Sequence, residues 1–357
     1  MSIPTNSEVC ETKSEEPINP LISQLKIKIP KDDIYHQFPV LGNVYLEKDI
    51  HVNKLRTVYI GHYDRITEDD ICDEYCIVKH ATNGFDSLIL SYLHDNVPDE
   101  ITMKNIVTVL DYDVKTIEDD YYGKIIVDEW ICYKLCHYYD MIELMMMNDK
   151  GLPESIAKFF FRQMAVAVKV LHDVGVIHLD IKLDNFLLTK DLGIHLTDFG
   201  TSVISENIYR TTDLNQLLCF HQYIPPEATS EGFYSAKSDI WSLGVSLFML
   251  LESKAMHNVS WEFHQPCNDV LSPVETRDFS YQNTSLSKEV IELIKVMTSI
   301  KPDDRPTIDA VLQSEWLSKE QDLTIKIEHT RAYFSNERGI SLSVNLPVPL
   351  LCGNKST

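Results

Sequence analysis

The chain has no apolar run long enough to cross a bilayer. Its longest nearly apolar stretch, WSLGVSLFMLL at 241–251, falls well short of the roughly 20 residues a spanning helix needs. The N-terminal MSIPTNSEVCETKSEEP lacks the basic and apolar regions of a secretory signal, so a cytoplasmic or nuclear protein is expected, not a secreted or membrane-bound one. The matches to the glycosylation pattern at Asn258 and Asn283 are then idle. Eight cysteines are present but no CxxC pair; the closest spacings, Cys72 to Cys76 and Cys132 to Cys136, fit neither a redox motif nor a zinc site. Reduced thiols follow. Basic residues are also scarce, 32 Lys and Arg against 54 Asp and Glu, and no basic patch offsets the net charge of -22. That balance opposes the counterion release that drives nucleic-acid binding. The same field attracts basic peptides, although a solvated acidic surface that aids solubility is the plainer account.

What is present is a soluble globular composition, 44% hydrophobic and 24% charged, over 357 residues, enough for two lobes with tails. Residues 1–34 are rich in Pro, Ser and Glu without periodicity and read as a mobile, disordered N-terminal tail. From about residue 40 to 136, short β-rich runs (TVYIGHY, EYCIVKH, KNIVTVLDY, KIIVDEWICYKL) predict an antiparallel sheet. One helical pattern interrupts them, FDSLILSYLHD at 85–95, with Leu88, Leu90 and Leu93 read as its buried face. From residue 153 the texture is helical. PESIAKFFFRQMAVAVKVLHDVG opens on Pro-Glu and closes on glycine, and SDIWSLGVSLFMLLES, SKEVIELIKVMTS and TIDAVLQSEWL follow. Residues 319–357 fall outside the pattern and form a C-terminal tail. The short Met run at 145–147 reads as helix core.

Polar groups concentrate just past the midpoint. In HLDIKLDNFLL, Asp180, Lys182 and Asn185 stand between a helix and the apolar pair Leu187 and Leu188; thirteen residues beyond Asn185 comes Asp198-Phe199-Gly200, after the strand-like GIHLT. Two loops held by core on both sides can face each other across a cleft between the lobes.

This spacing resembles the eukaryotic protein kinase superfamily, Ser/Thr type, whose catalytic loop reads HRDxKxxN and whose magnesium loop reads DFG. The resemblance covers roughly residues 40–318 and implies an α+β, two-lobed protein kinase fold: a β-rich N-lobe with one helix over 35–136 and a mainly helical C-lobe over 137–318. It implies ATP and Mg2+ as cofactors and a protein substrate. Asp180 would accept the proton of the substrate hydroxyl and Lys182 would neutralise the phosphoryl group in transfer; Asn185 and Asp198 would hold magnesium. His178 would bond backbone near the magnesium loop. CIVKH puts Lys79 where the family's strand lysine grips the α- and β-phosphates. ICYKLC resembles the fifth strand and hinge, with Tyr133 as gatekeeper, Leu135 and Cys136 against adenine, and Asp140 near the ribose. YIPPE, SDIWSLG and KPDDRPT resemble later family segments, implying a buried Glu227–Arg305 ion pair and an Asp239 that accepts hydrogen bonds from the catalytic-loop backbone.

Four departures mark the sequence. Leu179 replaces the arginine that, in many kinases, pairs with a phosphorylated activation segment; the segment, Thr201 to Ile224, is therefore expected to work without phosphorylation despite Thr211 and Thr212. No glycine-rich loop precedes Lys79. If Val58 is that motif's valine, its glycine positions hold His51, Asn53 and Arg56; a register through LGNVY keeps only Gly42. The helix partner of the strand lysine, ordinarily glutamate, has Asp86 as its nearest candidate, one methylene shorter. Phe220 stands where Ser/Thr kinases commonly carry a threonine. The expectation is a protein kinase that transfers the γ-phosphate of MgATP to Ser or Thr; the alternative is a pseudokinase that binds or scaffolds a partner.

Overall fold

The computed structural model describes residues 35–318, save 53–55, 67–70, 83–84, 120–123, 136–139, 147–150, 190, 206–207, 211–222, 253–282 and 284, and also residue 330. The N-terminal tail, the C-terminal tail save Thr330, Cys136 (expected in the hinge), Thr211, Thr212 and Phe220 lie outside the described residues, as does Met147 of the Met run.

The upper lobe is a six-stranded antiparallel sheet in the order β1-β2-β3-β4-β6-β5. Its strands are β1 (Tyr35–Phe38), β2 (Gly42–Val52), β3 (Arg56–Ile66), β4 (Ile71–Thr82), β5 (Val109–Asp119) and β6 (Lys124–Lys134). Alternation sorts the side chains of the central strands. Cys76, Val78 and Cys132 pack with Phe38, Val44 and Tyr63 in a small core on one face. Ile131 and Tyr133 face the main core on the other. Lys79 lies directly between Val58 on β3 and Ile131 on β6, so Val58 and Lys79 share that second face.

Helix α1 (Asp86–Asn96) lies against this face. It buries Asp86, Ile89, Leu90 and Leu93. Leu88, expected among the buried leucines, is 60% exposed, because steps of about 100° carry it to the opposite side from Leu90 and Leu93. The lobe also holds a second short helix, α2 (Asp99–Asn105), where a single helix was expected. Pro98 at its start and Asp99 and Glu100 in its first turn give the local reason.

The lower lobe is built on α4 (Glu154–Asp173), which follows the short α3 (Met141–Met146). Its Phe160, Phe161, Met164, Ala165 and Val168 are fully buried, and it ends at Gly175, whose φ of 73° suits a residue without Cβ. Two-residue and three-residue strands then carry the polar loops: β7 (Val176–Ile177), β8 (Phe186–Leu188), β9 (Ile194–Leu196) and β10 (Val203–Ile204). Beyond β11 (Ile208–Arg210), α5 (Pro226–Ser230) and β12 (Phe233–Ser235), the helices α6 (Ala236–Glu252), α7 (Lys288–Met297), α8 (Ile308–Leu312) and α9 (Glu315–Ser318) close the lobe. TIDAVLQSEWL is thus two helices, not one. Met145 is 1% exposed, within the core.

Among the described residues no helix is long and apolar enough to cross a membrane.

Candidate functional site

The β8–β9 hairpin brings the two polar loops together. Phe186 pairs with Leu196, so the residues before one and after the other emerge side by side, and the Thr197 amide donates to the Asn185 carbonyl at 3.0 Å. Asn185 and Asp198 therefore flank one position. On the catalytic-loop side, Lys182 Nζ donates to Asp180 Oδ2 at 2.7 Å, and Asn185 Nδ2 donates to the Asp180 carbonyl at 2.7 Å and to its Oδ2 at 3.0 Å.

This loop is held from below by a carboxylate. Asp239, 1% exposed at the start of α6, accepts the His178 amide on Oδ2 and the Leu179 amide on Oδ1, both at 2.9 Å. Those bonds fix Leu179 at φ 68°, a conformation in which a branched side chain is strained, and turn Asp180 toward the cleft. The His178 ring bonds the Thr197 carbonyl through Nε2 at 3.1 Å and meets the Phe199 ring edge-on at 5.2 Å.

Asp198, also at positive φ (64°), reaches the upper lobe. Its Oδ1 accepts from Lys79 Nζ at 2.7 Å, and the same ammonium donates to Asp86 Oδ2 at 2.8 Å. Asp86 Oδ1 accepts the Phe199 amide at 2.8 Å. One aspartate thus ties strand β4, helix α1 and the second loop together. Its short side chain suits the space: a Cβ added at Gly200 would stand 3.0 Å from Asp86 Oδ2. Burial alone would lower the Lys79 ammonium, but Asp198 and Asp86 hold it above the usual lysine range. Burial likewise works to raise Asp198, and Lys79 and Arg56 overcome it, holding the carboxyl far below its usual range.

Arg56 is the group that sequence reasoning passed over, treating it only as a lost glycine. At the start of β3, it donates from Nη1 to Asp198 Oδ2 at 2.5 Å. The β2–β3 hairpin puts it two residues before Val58, which pairs with Lys79, whereas Gly42 lies at the far end of β2. Glu129 was missed too. On β6 and 1% exposed, it accepts the Ser87 amide at 2.8 Å, supplying the cap that α1 lacks from its own side chains. An acid inside the apolar run KIIVDEWICYK was its only signal.

Tyr133 is 5% exposed beside Ile77, and Leu135 lies just past the end of β6. Asp140 caps α3: its Oδ1 accepts the Glu143 amide at 2.8 Å while Glu143 returns a carboxylate to the Asp140 amide at 3.3 Å. Burial, then the nearby Glu143 and Asp184 carboxylates, push Asp140 up to about 8. Below the site, Arg305 grips Glu227 with two bonds of 2.7 and 2.6 Å and lies 4.8 Å from the Trp241 ring centre.

The fold and this arrangement are those of a protein kinase. The family model described as the protein kinase domain matches residues 93–317, and the chain belongs to that family. It is 35% identical over 181 residues to the ovarian-specific serine/threonine-protein kinase Lok of Drosophila melanogaster, covering 48% of this chain and 36% of that protein. Two kinases of Arabidopsis thaliana, CBL-interacting serine/threonine-protein kinases 7 and 13, are each 31% identical, over 54% and 52% of this chain and 43% and 35% of their own lengths. All three relatives are named serine/threonine kinases, and the chain spans about two-fifths of their length. The match begins beyond Lys79 and Asp86, so geometry alone speaks for those two.

Proposed function

We propose that the chain transfers the γ-phosphate of MgATP to serine or threonine hydroxyls of protein substrates. The observation that carries this is the joining of Lys79, Asp86 and Asp198 into one buried ion cluster beside the Asp180–Lys182–Asn185 loop. The donor set fits magnesium. With its Nδ2 committed to Asp180, Asn185 has its amide oxygen left as a ligand, and Asp198 supplies a carboxylate; both are the hard oxygens the ion prefers. Among the described residues no three His, Cys, Asp or Glu side chains converge as a closed metal cage, which suits an ion that takes its other ligands from phosphates and water. Bound there, magnesium would screen the charge of the phosphate oxygens.

In this reading Lys79 orients the α- and β-phosphates, Val58 and Leu135 line the adenine side, and Asp140 lies near the ribose. Asp180 orients the substrate hydroxyl and takes its proton, and Lys182, already against Asp180, neutralises charge on the group in transfer. A pocket beside Asp180, lined by Leu179, Ile181, Tyr223, Pro225 and Tyr234, offers a place for the substrate chain. The net charge of -22 favours a basic substrate segment.

The second reading, a pseudokinase, draws support from Arg56, which occupies the Asp198 oxygen a metal would need. A radiolabelled γ-phosphate assay on basic and acidic protein substrates, run beside Asp180→Asn and Asp198→Ala, separates the two. Transfer at least a hundredfold above both variants is the expected result; equal signal from all three proteins would leave only the binding module.

A further inference from the structure

The six charged groups that pair at the centre of the cleft sum to zero without a metal. Three carboxylates, Asp86, Asp180 and Asp198, face three cations, Lys79, Lys182 and Arg56, and both oxygens of Asp198 are engaged, one by Lys79 and one by Arg56. Take Arg56 away and the remaining five groups carry a net negative charge that invites a divalent ion. With it in place that demand is met by the protein itself.

The guanidinium is also the cation best able to leave. Its side chain is 34% exposed, against 8% for Lys79, and it stands at the tip-side end of β3, two residues from the Val58 that pairs with Lys79. Its planar fork of donors matches phosphate oxygens in pairs, which an ammonium cannot do. The sequence from His51 to Val58, which carries it, has no glycine with which to bring backbone amides close to phosphates, leaving that task to a side chain of full charge.

We propose that Arg56 is a phosphate ligand of the bound nucleotide, passing from Asp198 to the polyphosphate, and that the chain consequently binds ATP and ADP without a divalent cation. The proposal rests on the nucleotide-binding reading above. Removing Arg56 also uncovers Asp198, so the same change that weakens metal-free binding strengthens the dependence on magnesium.

The test is calorimetric titration of the full chain with ATP, ADP and adenosine, in EDTA and in magnesium chloride, for the wild type, Arg56→Gly and Arg56→Lys, with circular dichroism to verify folding. The wild type should bind ATP in EDTA within about tenfold of its affinity in magnesium. Arg56→Gly should lose roughly tenfold to a hundredfold in EDTA, the worth of a charge-assisted contact, keep its adenosine affinity, and regain ATP binding when magnesium is added. Arg56→Lys should fall between. Wild-type binding of ATP only in magnesium, or undiminished ATP binding by Arg56→Gly in EDTA, overturns the proposal while leaving the kinase reading intact. Binding of no nucleotide in either buffer overturns both.

Discussion

Replacing Asp86 by alanine should destabilise the protein by about 3–5 kcal/mol, and by asparagine by only about 1.5–3 kcal/mol. The figures follow from the two oxygens. Oδ2 takes the Lys79 ammonium at 2.8 Å, a charge-assisted bond worth about 1.5–3 kcal/mol; Oδ1 takes the buried Phe199 amide at 2.8 Å, which would cost about 1–3 kcal/mol if left unpaired. Lys79 keeps Asp198 in either variant, so no ammonium is stranded. An asparagine oxygen can still accept from Phe199, whereas alanine loses both bonds. Restoring the family's usual residue, Asp86→Glu, should not help. The added methylene meets the backbone of Gly200, where even a Cβ would stand 3.0 Å from the carboxylate, and overpacking of that kind costs about 1–3 kcal/mol. Urea unfolding at pH 7 with linear extrapolation reads all three differences. If asparagine costs as much as alanine, the Phe199 bond contributes nothing; if glutamate is neutral or stabilising, the close approach of Gly200 is not what selects aspartate.

Three further outcomes are expected. Between the ordinary carboxylate value near 4 and the folded value of about 8, folded Asp140 holds a proton that the unfolded chain has released, so stability falls as pH rises through that window. Asp140→Asn, which keeps the cap on Glu143, should therefore gain stability over the wild type at pH 8.5 but little at pH 4, measured by urea unfolding at both. Glu227→Ala or Arg305→Ala should each cost about 3–5 kcal/mol by stranding a buried partner, and a double-mutant cycle should show the pair together costing well below the sum. Because Leu179 supplies no guanidinium for a phosphate on the activation segment, phosphatase treatment should leave transfer activity within about twofold; a tenfold loss would refute that reading.

The polar loops were legible because their chemistry is local in sequence: Asp180, Lys182 and Asn185 fall within one turn of chain, and Asp198 follows after a single hairpin. The placing of Lys79 and Asp86 was legible by their order along the chain. Arg56 was not, since what it touches lies 142 residues away and depends on how far the β2–β3 hairpin overhangs the cleft. Glu129 was hidden for the same reason, its partner amide being 42 residues upstream on another element. The helix Asp99–Asn105 did carry readable signals, Pro98 and two acids, but the β-branched run that follows drew its residues into a strand. Leu88 was misjudged because composition suggested a leucine face, while helical geometry gave the buried stripe to Asp86, Ile89, Leu90 and Leu93.

The grip of Asp239 on two amides gives the catalytic loop a dynamic character that its shape conceals. His178 and Leu179 belong to no long ladder, yet their N–H groups end on a carboxylate rooted in a helix whose residues from Ser238 to Glu252 are all buried. In deuterated solvent those two protons can be lost only when the lower lobe itself opens. They should be among its slowest to exchange, beside the core of α4, while loop amides a few residues away are replaced early.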